Sequence, residues 1–163
     1  MRVTHTFEPI YDEKSKILIL GTFPSVKSRE NAFYYGHPQN RFWKVLAAVT
    51  GEETPSCIEE KKAMLLKHYI AIWDVISTCD IEGSSDSSIK NVTANDIAGL
   101  LQGSSIGTIY GNGDKACRLY EKFCKEKTKK EIVKLPSTSP ANAAYSIEKL
   151  VECWKVIRDC MED

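Results

Sequence analysis

Strand and helix signals alternate along this 163-residue chain, which predicts an α/β fold: three layers, α/β/α, around a central four-stranded, mainly parallel sheet. Two observations carry the prediction. Short apolar runs recur, as expected of strands covered on both faces, each ending in polar or Gly/Pro-rich turn residues. Between them stand segments with apolar residues at helical spacing. Such alternation implies right-handed crossovers and a parallel sheet between helical layers.

The elements follow in order. Ile17-Leu-Ile-Leu20 is an unbroken apolar run and opens the sheet. Phe42, Val45, Leu46 and Val49 repeat at i, i+3, i+4, i+7, so a helix is expected from Gln39 to Thr50, stopping at Gly51. Glu59 to His68 reads as a second helix. Tyr69-Ile-Ala-Ile-Trp73 reads as a second strand ending at Asp74. Asp96 to Leu101 forms a short helix. Ile106 to Tyr110 forms a third strand, closed by the turn Gly111-Asn-Gly-Asp114. Asp114 to Lys127 is helical, and Glu131 to Leu135 is the fourth strand. It ends in Pro136-Ser-Thr-Ser-Pro-Ala-Asn142. A last helix starts near Ser146 and buries Ile147, Leu150, Val151, Trp154 and Ile157.

Length and the absence of a clear linker or repeat predict one domain over 1–163. The one low-complexity stretch, Gly83-Ser-Ser-Asp-Ser-Ser88, reads as a loop. No apolar run is long enough for a membrane span, and the N-terminus lacks a signal-peptide core, so a cytoplasmic monomer is expected. The six cysteines include no Cys-x-x-Cys pair. Cys117/Cys124 and Cys153/Cys160 share a helical face, and all six read as small core residues rather than metal ligands, disulfides or an iron–sulfur set. Net charge is zero and the pI is near 6.8, which argues against a broad basic nucleic-acid surface. A local patch from Lys27, Arg29, Arg41 and Lys44 remains available, whereas Lys125 to Lys130 reads as a solvated helix end.

In parallel α/β sheets, ligands bind beyond the carboxyl ends of the strands. The segments there are Gly21–Ser25, Trp73–Val75, Gly111–Asp114 and Pro136–Asn142. Gly21-Thr-Phe-Pro-Ser25 either offers backbone N–H groups to a ligand or is a plain turn. Tyr34 and Tyr35, beside Gly36, either stack a flat ring or pack on the core. Asn40 either caps a helix or offers an amide, with one acceptor and two donors, to a ligand. His37 in His-Pro is a turn residue or a site group; His5 and His68 have no context. Ser137, Thr138 and Ser139 are phosphate-binding hydroxyls or turn formers. Asp74 and Asp86 are second polar site groups or caps. There is no Gly-x-Gly-x-x-Gly, Walker loop or metal-ligand cluster, so no cofactor and no metal are expected.

Gly21-x-x-Pro, Tyr35-Gly-His-Pro-Gln-Asn-Arg-Phe-Trp43 and Ser137-Thr-Ser-Pro-Ala-Asn142 together resemble the uracil-DNA glycosylase superfamily. The middle stretch looks like its mismatch-specific uracil/thymine branch. The best match is the hypoxanthine-DNA glycosylase (DNA-deoxyinosine glycosylase) branch, on Gly-Thr-Phe-Pro-Ser25, Tyr34 to Trp43, Trp73-Asp-Val75, Gly83 to Ser87 and Ser139-Pro-Ala-Asn142, over about residues 16 to 160. The resemblance implies a uracil-DNA-glycosylase-like fold and a monofunctional DNA base-excision repair enzyme. Such an enzyme cleaves an N-glycosidic bond, with DNA as partner, and leaves an abasic site. Phe23 stands where most of the superfamily has a catalytic Asp or Asn, and Ser137 where the uracil-specialised enzymes have His; both point away from efficient uracil removal. The branch resemblance implies that Asn40 supplies the catalytic amide. It also implies that Tyr35 stacks the base, that Gly21, Thr22 and Phe23 contact its polar edge, and that Ser137, Thr138, Ser139, Pro140, Ala141 and Asn142 hold DNA and fill the vacated gap. The competing readings are a broader uracil/xanthine glycosylase, a non-catalytic nucleic-acid-binding module, and a hydrolase using Ser137 or Ser139, which lacks a nucleophile elbow.

Overall fold

Every residue of Ile17 to Leu20 is fully buried, so both faces of that strand must be covered. The computed structural model describes residues 2–5, 7–24, 28–29, 33–82 and 88–161, with residues 160 and 161 by backbone alone. Ser25, Lys27 and residues 83–87, with Asp86 among them, lie outside the described residues. In chain order the elements are β1 (Arg2–Thr4), β2 (Ile17–Gly21), α1 (Phe42–Thr50), α2 (Ile58–Lys67), β3 (Ile70–Asp74), β4 (Ile76–Asp80) and β5 (Lys90–Ala94). They continue with α3 (Ile97–Gln102), β6 (Thr108–Asn112), α4 (Asp114–Phe123), α5 (Lys125–Thr128), β7 (Ile132–Leu135), α6 (Ile147–Trp154), a 3-10 turn (Lys155–Ile157) and α7 (Arg158–Met161).

The central sheet has four strands in the order β3-β2-β6-β7, all parallel. Strand alternation splits its side chains between two cores. Ile17, Ile19, Ile70 and Ile72 face one, with Phe42, Leu46, Leu65, Leu150 and Trp154 from α1, α2 and α6. Leu18, Leu20, Ala71 and Ile109 face the other, with Ile97, Leu100, Leu119 and Tyr120 from α3 and α4. This is the expected α/β/α layering. An antiparallel bridge between Ile10 and Ile72 covers the outer edge of β3.

A second sheet, β1-β4-β5, is antiparallel and was not expected. Its outer strands are short, polar and largely exposed, so no apolar run marks them. Strand β3 does not end in a loop at Asp74. The chain turns at Val75 alone and runs on as β4 into the second sheet.

Three expected elements differ by more than one residue. The third strand starts two residues late and extends through Asn112, because its ladder pairs Thr108 with Ile17 and Asn112 with Leu135. Helix α1 starts at Phe42, not Gln39, because 37–40 form a turn closed by Asn40 N–H to His37 O (3.0 Å). The helix expected over 114–127 breaks at Cys124, whose φ of −123° leaves the helical region. The C-terminal helix starts where expected, with Ser146 as its cap, and Leu150, Trp154 and Ile157 are buried while Ile147 and Val151 are only partly so. Cys79, Cys117 and Cys124 are core residues, and burial pushes the Cys117 and Cys124 thiols up to about 11. Cys57 and Cys153 are exposed, against expectation: one precedes α2 at the surface and the other lies on the outer side of α6.

Candidate active site

The strand order places β3 on one side of β2 and β6 on the other, so the topology switches direction between β2 and β6. The crevice for a ligand lies there, at the carboxyl ends. A cavity of about 570 Å³ opens at that point, and Gly21 and Asn112, the last residues of β2 and β6, both line it. That size suits a small organic ligand. Thr22, Phe23, Tyr35, His37, Asn40, Asp74 and the segment Ser137–Ala141 line it too. The structure therefore brings together the first loop, the aromatic loop and the last loop, as expected. No Lys or Arg is among the described lining residues, and no group of described residues is arranged to hold a metal.

Asn40 is held by two hydrogen bonds to one atom. Its Oδ1 accepts from the Phe42 backbone N–H (2.9 Å) and from the Thr138 hydroxyl (2.8 Å). Both lone pairs of that oxygen are used, and the backbone donor fixes which end of the amide is oxygen. The amide NH₂ is the end left for the cavity. The capping role weighed from sequence is thus real, and it orients the donor. Thr138 is itself pinned. Its N–H donates to Asn112 Oδ1 and its hydroxyl accepts from Asn112 Nδ2, each at 3.0 Å. A directional chain runs from Asn112 through Thr138 to Asn40. Thr138 is fully buried, so its expected place as a DNA contact is corrected: its hydroxyl is committed inside. Asn112 was missed because it read as a turn residue; its signal was a polar side chain at a strand end.

Tyr34 is core. Its hydroxyl donates to Glu8 O (2.7 Å), and its ring packs edge-on against Phe7 and Phe33. Tyr35 adopts φ 52°, a strained backbone for a bulky residue, and lies flat on Phe42 with centroids 3.9 Å apart. Its other face is the one a ring in the cavity can stack on. The Tyr35 hydroxyl is buried without a well-formed hydrogen bond, the Asn112 side chain standing near enough to pull on it. Burial first, then the Asp74 charge, pushes its pKa far up, against a smaller opposing pull from Asn112, so the phenol stays protonated. Phe23 packs edge-on to His5 (6.0 Å) and under the Arg29 guanidinium (5.6 Å).

His5, without context in the sequence, forms a buried pair with Asp74: Nε2 to Oδ2 is 2.8 Å, with side chains 1% and 6% exposed. The pairing spans the second sheet and the end of β3, so only the fold reveals it. His68 instead pairs with Glu52 (3.1 Å), outside this cavity. His37 lines the cavity, and its Nδ1 accepts the Gln39 N–H (3.1 Å).

Arg41 is not part of a basic patch. Its guanidinium donates to the carbonyls of Thr138, Ser139 (2.8 Å), Asn142 (3.1 Å) and Tyr145, fastening the last loop to the start of α1. Asn142 Nδ2 donates to Ser137 O (3.0 Å), and Trp154 Nε1 to Pro136 O (2.9 Å), closing the loop on itself and on α6. Pro140 and Ala141 stay exposed at its tip. Arg29 is turned inward toward Pro24 O (3.2 Å), and Lys44 is exposed. The expected cluster does not assemble among the described residues.

Comparison with known proteins identifies the family. The family model of the uracil DNA glycosylase superfamily matches residues 8–158. A Methanosarcina acetivorans protein named hypoxanthine DNA glycosylase is 37% identical over 153 residues, covering 93% of this chain and 95% of that one. A Methanosarcina barkeri protein of the same name is 39% identical over 90 residues, 55% of this chain and 57% of its own length. A solution NMR structure from Methanosarcina acetivorans, solved as a candidate uracil DNA glycosylase, superposes with a TM-score of 0.81 at 35% identity, covering 94% of this chain and 96% of that chain. The chain belongs to the uracil DNA glycosylase superfamily.

Proposed function

We propose that this chain is a monofunctional DNA glycosylase that hydrolyses the N-glycosidic bond of a deaminated base, hypoxanthine foremost, and leaves an abasic site. One observation carries the reading: Asn40 Oδ1 is occupied twice, which leaves its NH₂ as a donor into a cavity at the strand ends. The bond to the base breaks as the sugar gains positive and the base negative charge. A fixed donor at an acceptor atom of the departing ring stabilises that charge; one such donor in a desolvated site is worth about 10²–10³ in rate. A purine offers several ring acceptors. Asn40 has no spare oxygen to activate water and no titratable proton, which suits a base that departs before water attacks. Water then adds to the sugar cation, and the proton it releases neutralises the departed base anion.

The other roles follow the same geometry. Tyr35, backed by Phe42, stacks the extruded base. Gly21, Thr22 and Phe23 border its edge. Ser137, Ser139 and Asn142 shape a stiff loop whose exposed tip, Pro140-Ala141, enters the gap the base vacates. Extrusion costs a few kcal/mol and is cheapest at a damaged pair. Hypoxanthine is preferred over uracil because Phe23 puts an apolar ring where the first motif otherwise carries a carboxylate or amide, and the name shared by the two archaeal relatives points the same way.

Duplexes carrying one hypoxanthine, uracil or xanthine, treated with the protein and then with hot alkali, test this. Strand breaks are expected first at hypoxanthine. No break in any duplex refutes the reading; binding without breaks replaces it with a non-catalytic module.

A further inference from the structure

Helices α2, α1 and α6 lie side by side on one face of the central sheet. Lys61 of α2 sits over the Trp43 ring of α1 (5.2 Å), and Phe42 of α1 meets Trp154 of α6 edge-on (5.9 Å), so α1 is the middle helix. All three begin at the cavity end. Helix α1 follows Asn40, and α6 follows the last loop. Helix α2 starts there too, because it runs directly into the first residue of β3, whose other end carries Asp74 to the cavity.

Each of these helix starts carries lysine: Lys44 on α1, Lys61 and Lys62 on α2, Lys149 on α6. Among the described residues none of the four pairs with a carboxylate. Rings hold three of them instead. Lys61 and Lys62 lie over Phe33 (6.0 and 5.9 Å), and Lys149 lies over Tyr145 (4.6 Å). Phe33 directly precedes the two tyrosines of the cavity lining, and Tyr145 closes the last loop. Local stability does not explain these positions. A cation near a helix start faces the positive end of the macrodipole, and the first turn of α1 has no acid to offset Lys44. Lys61 is half-buried, and burial pulls its pKa down, against a smaller opposing pull from Cys57. Glu59, Glu60 and Glu148 share these helix ends, but Glu60 is taken up by the Ser56 N–H and hydroxyl (2.9 and 3.0 Å).

Packed helices stand about 8–10 Å apart, so the lysines form a row on the order of 20 Å long. Each strand of B-DNA presents a phosphate about every 3.4 Å of rise, so the row spans about six phosphates. We propose that Lys44, Lys61, Lys62 and Lys149 grip one backbone of duplex DNA along the α2-α1-α6 side of the cavity mouth. On the opposite face the helix starts carry Asp96 and Asp114, with Lys115 the one lysine beside them, so the duplex is held from one side. The inference rests on the glycosylase reading above and adds how the DNA is laid over the site.

The four lysines are changed together to glutamine. A control changes four at the opposite ends of their elements, Lys16, Lys67, Lys122 and Lys155, so that net charge falls equally. Binding to an undamaged duplex is followed by fluorescence anisotropy between about 50 and 200 mM salt. Each lost phosphate contact should flatten the plot of log K against log salt by about 0.9, hence by about 3–4 for the row. The control should keep the wild-type slope. Lys44→Gln alone, at an exposed position, should flatten it by about 0.9, which keeps the test open should the fourfold variant not fold. An unchanged slope overturns the proposal, with or without a lower thermal midpoint, and so does equal flattening in the control or wild-type protein that does not bind duplex DNA. Wild-type protein that binds with the expected salt dependence but excises no base fails the glycosylase reading alone; the row then stands on the loss of slope in its variants.

Discussion

Replacing Thr138 with valine keeps the shape of the side chain and deletes one oxygen, the atom that ties Asn112 to Asn40. Two hydrogen bonds go, the part-buried 2.8 Å bond to Asn40 Oδ1 and the buried 3.0 Å bond from Asn112 Nδ2. The first loss removes one of two anchors, at about 1 kcal/mol; the second strands a buried donor, at about 1–3 kcal/mol. Stability should fall by about 2–4 kcal/mol, measured by urea unfolding. Turnover should fall by more than this destabilisation accounts for. Asn40 keeps only the Phe42 N–H, so its NH₂ drifts from the departing ring, and a shift of about 1 Å is worth about 10²-fold. Single-turnover excision of hypoxanthine at saturating protein, well below the variant's melting temperature, reads that term alone. Thr138→Ser restores the oxygen and should recover most of the rate. A folded Thr138→Val protein that excises at the wild-type rate refutes the relay from Asn112 to Asn40.

Asn40→Asp keeps an oxygen for Phe42 and Thr138 but turns a second oxygen, not an NH₂, to the cavity. Excision should fall by about 10²–10³; a retained rate in the same assay would make position 40 an acceptor for water. Arg41→Met removes the donor shared by four loop carbonyls. A loss of about 2–4 kcal/mol is expected, a drop of about 5–10 °C in thermal midpoint, together with weaker DNA retention in a gel-shift assay as the 136–145 loop loosens.

How far the site could be read from sequence depended on the range of the interaction. The buried strands announced themselves because both faces are apolar, and the strand-end rule then located the cavity loops. Asn40, Tyr35 and Ser137 to Ala141 do border one cavity. The polar pairs escaped. His5 meets Asp74 across 69 residues, and Thr138 meets Asn40 across 98. Neither partner carries a local mark. Thr138 looked like its serine neighbours and is the one fully buried among them. Arg41 looked like part of a local basic patch; here its fork matches carbonyls that only the fold gathers.

The unexpected second sheet also shapes the cavity's polar lining. Phe23 leaves the first loop without a polar side chain of the expected kind, so polar groups enter the cavity from other elements: Asn40 ahead of α1, Asn112 from β6 and Asp74 from β3. Each amide or carboxylate is pinned by a partner that settles which end faces inward. Asp74 depends on His5, which follows β1 directly and reaches it because β1 pairs with β4, the continuation of β3. The second sheet is thus the frame that fixes one acceptor in the cavity, as the Asn112–Thr138 pair fixes one donor. A site so arranged needs no titrating base of its own. Under the proposed function its rate rests on hydrogen-bond direction, which is why single-atom exchanges at 40 and 138 are expected to alter function with little change in shape.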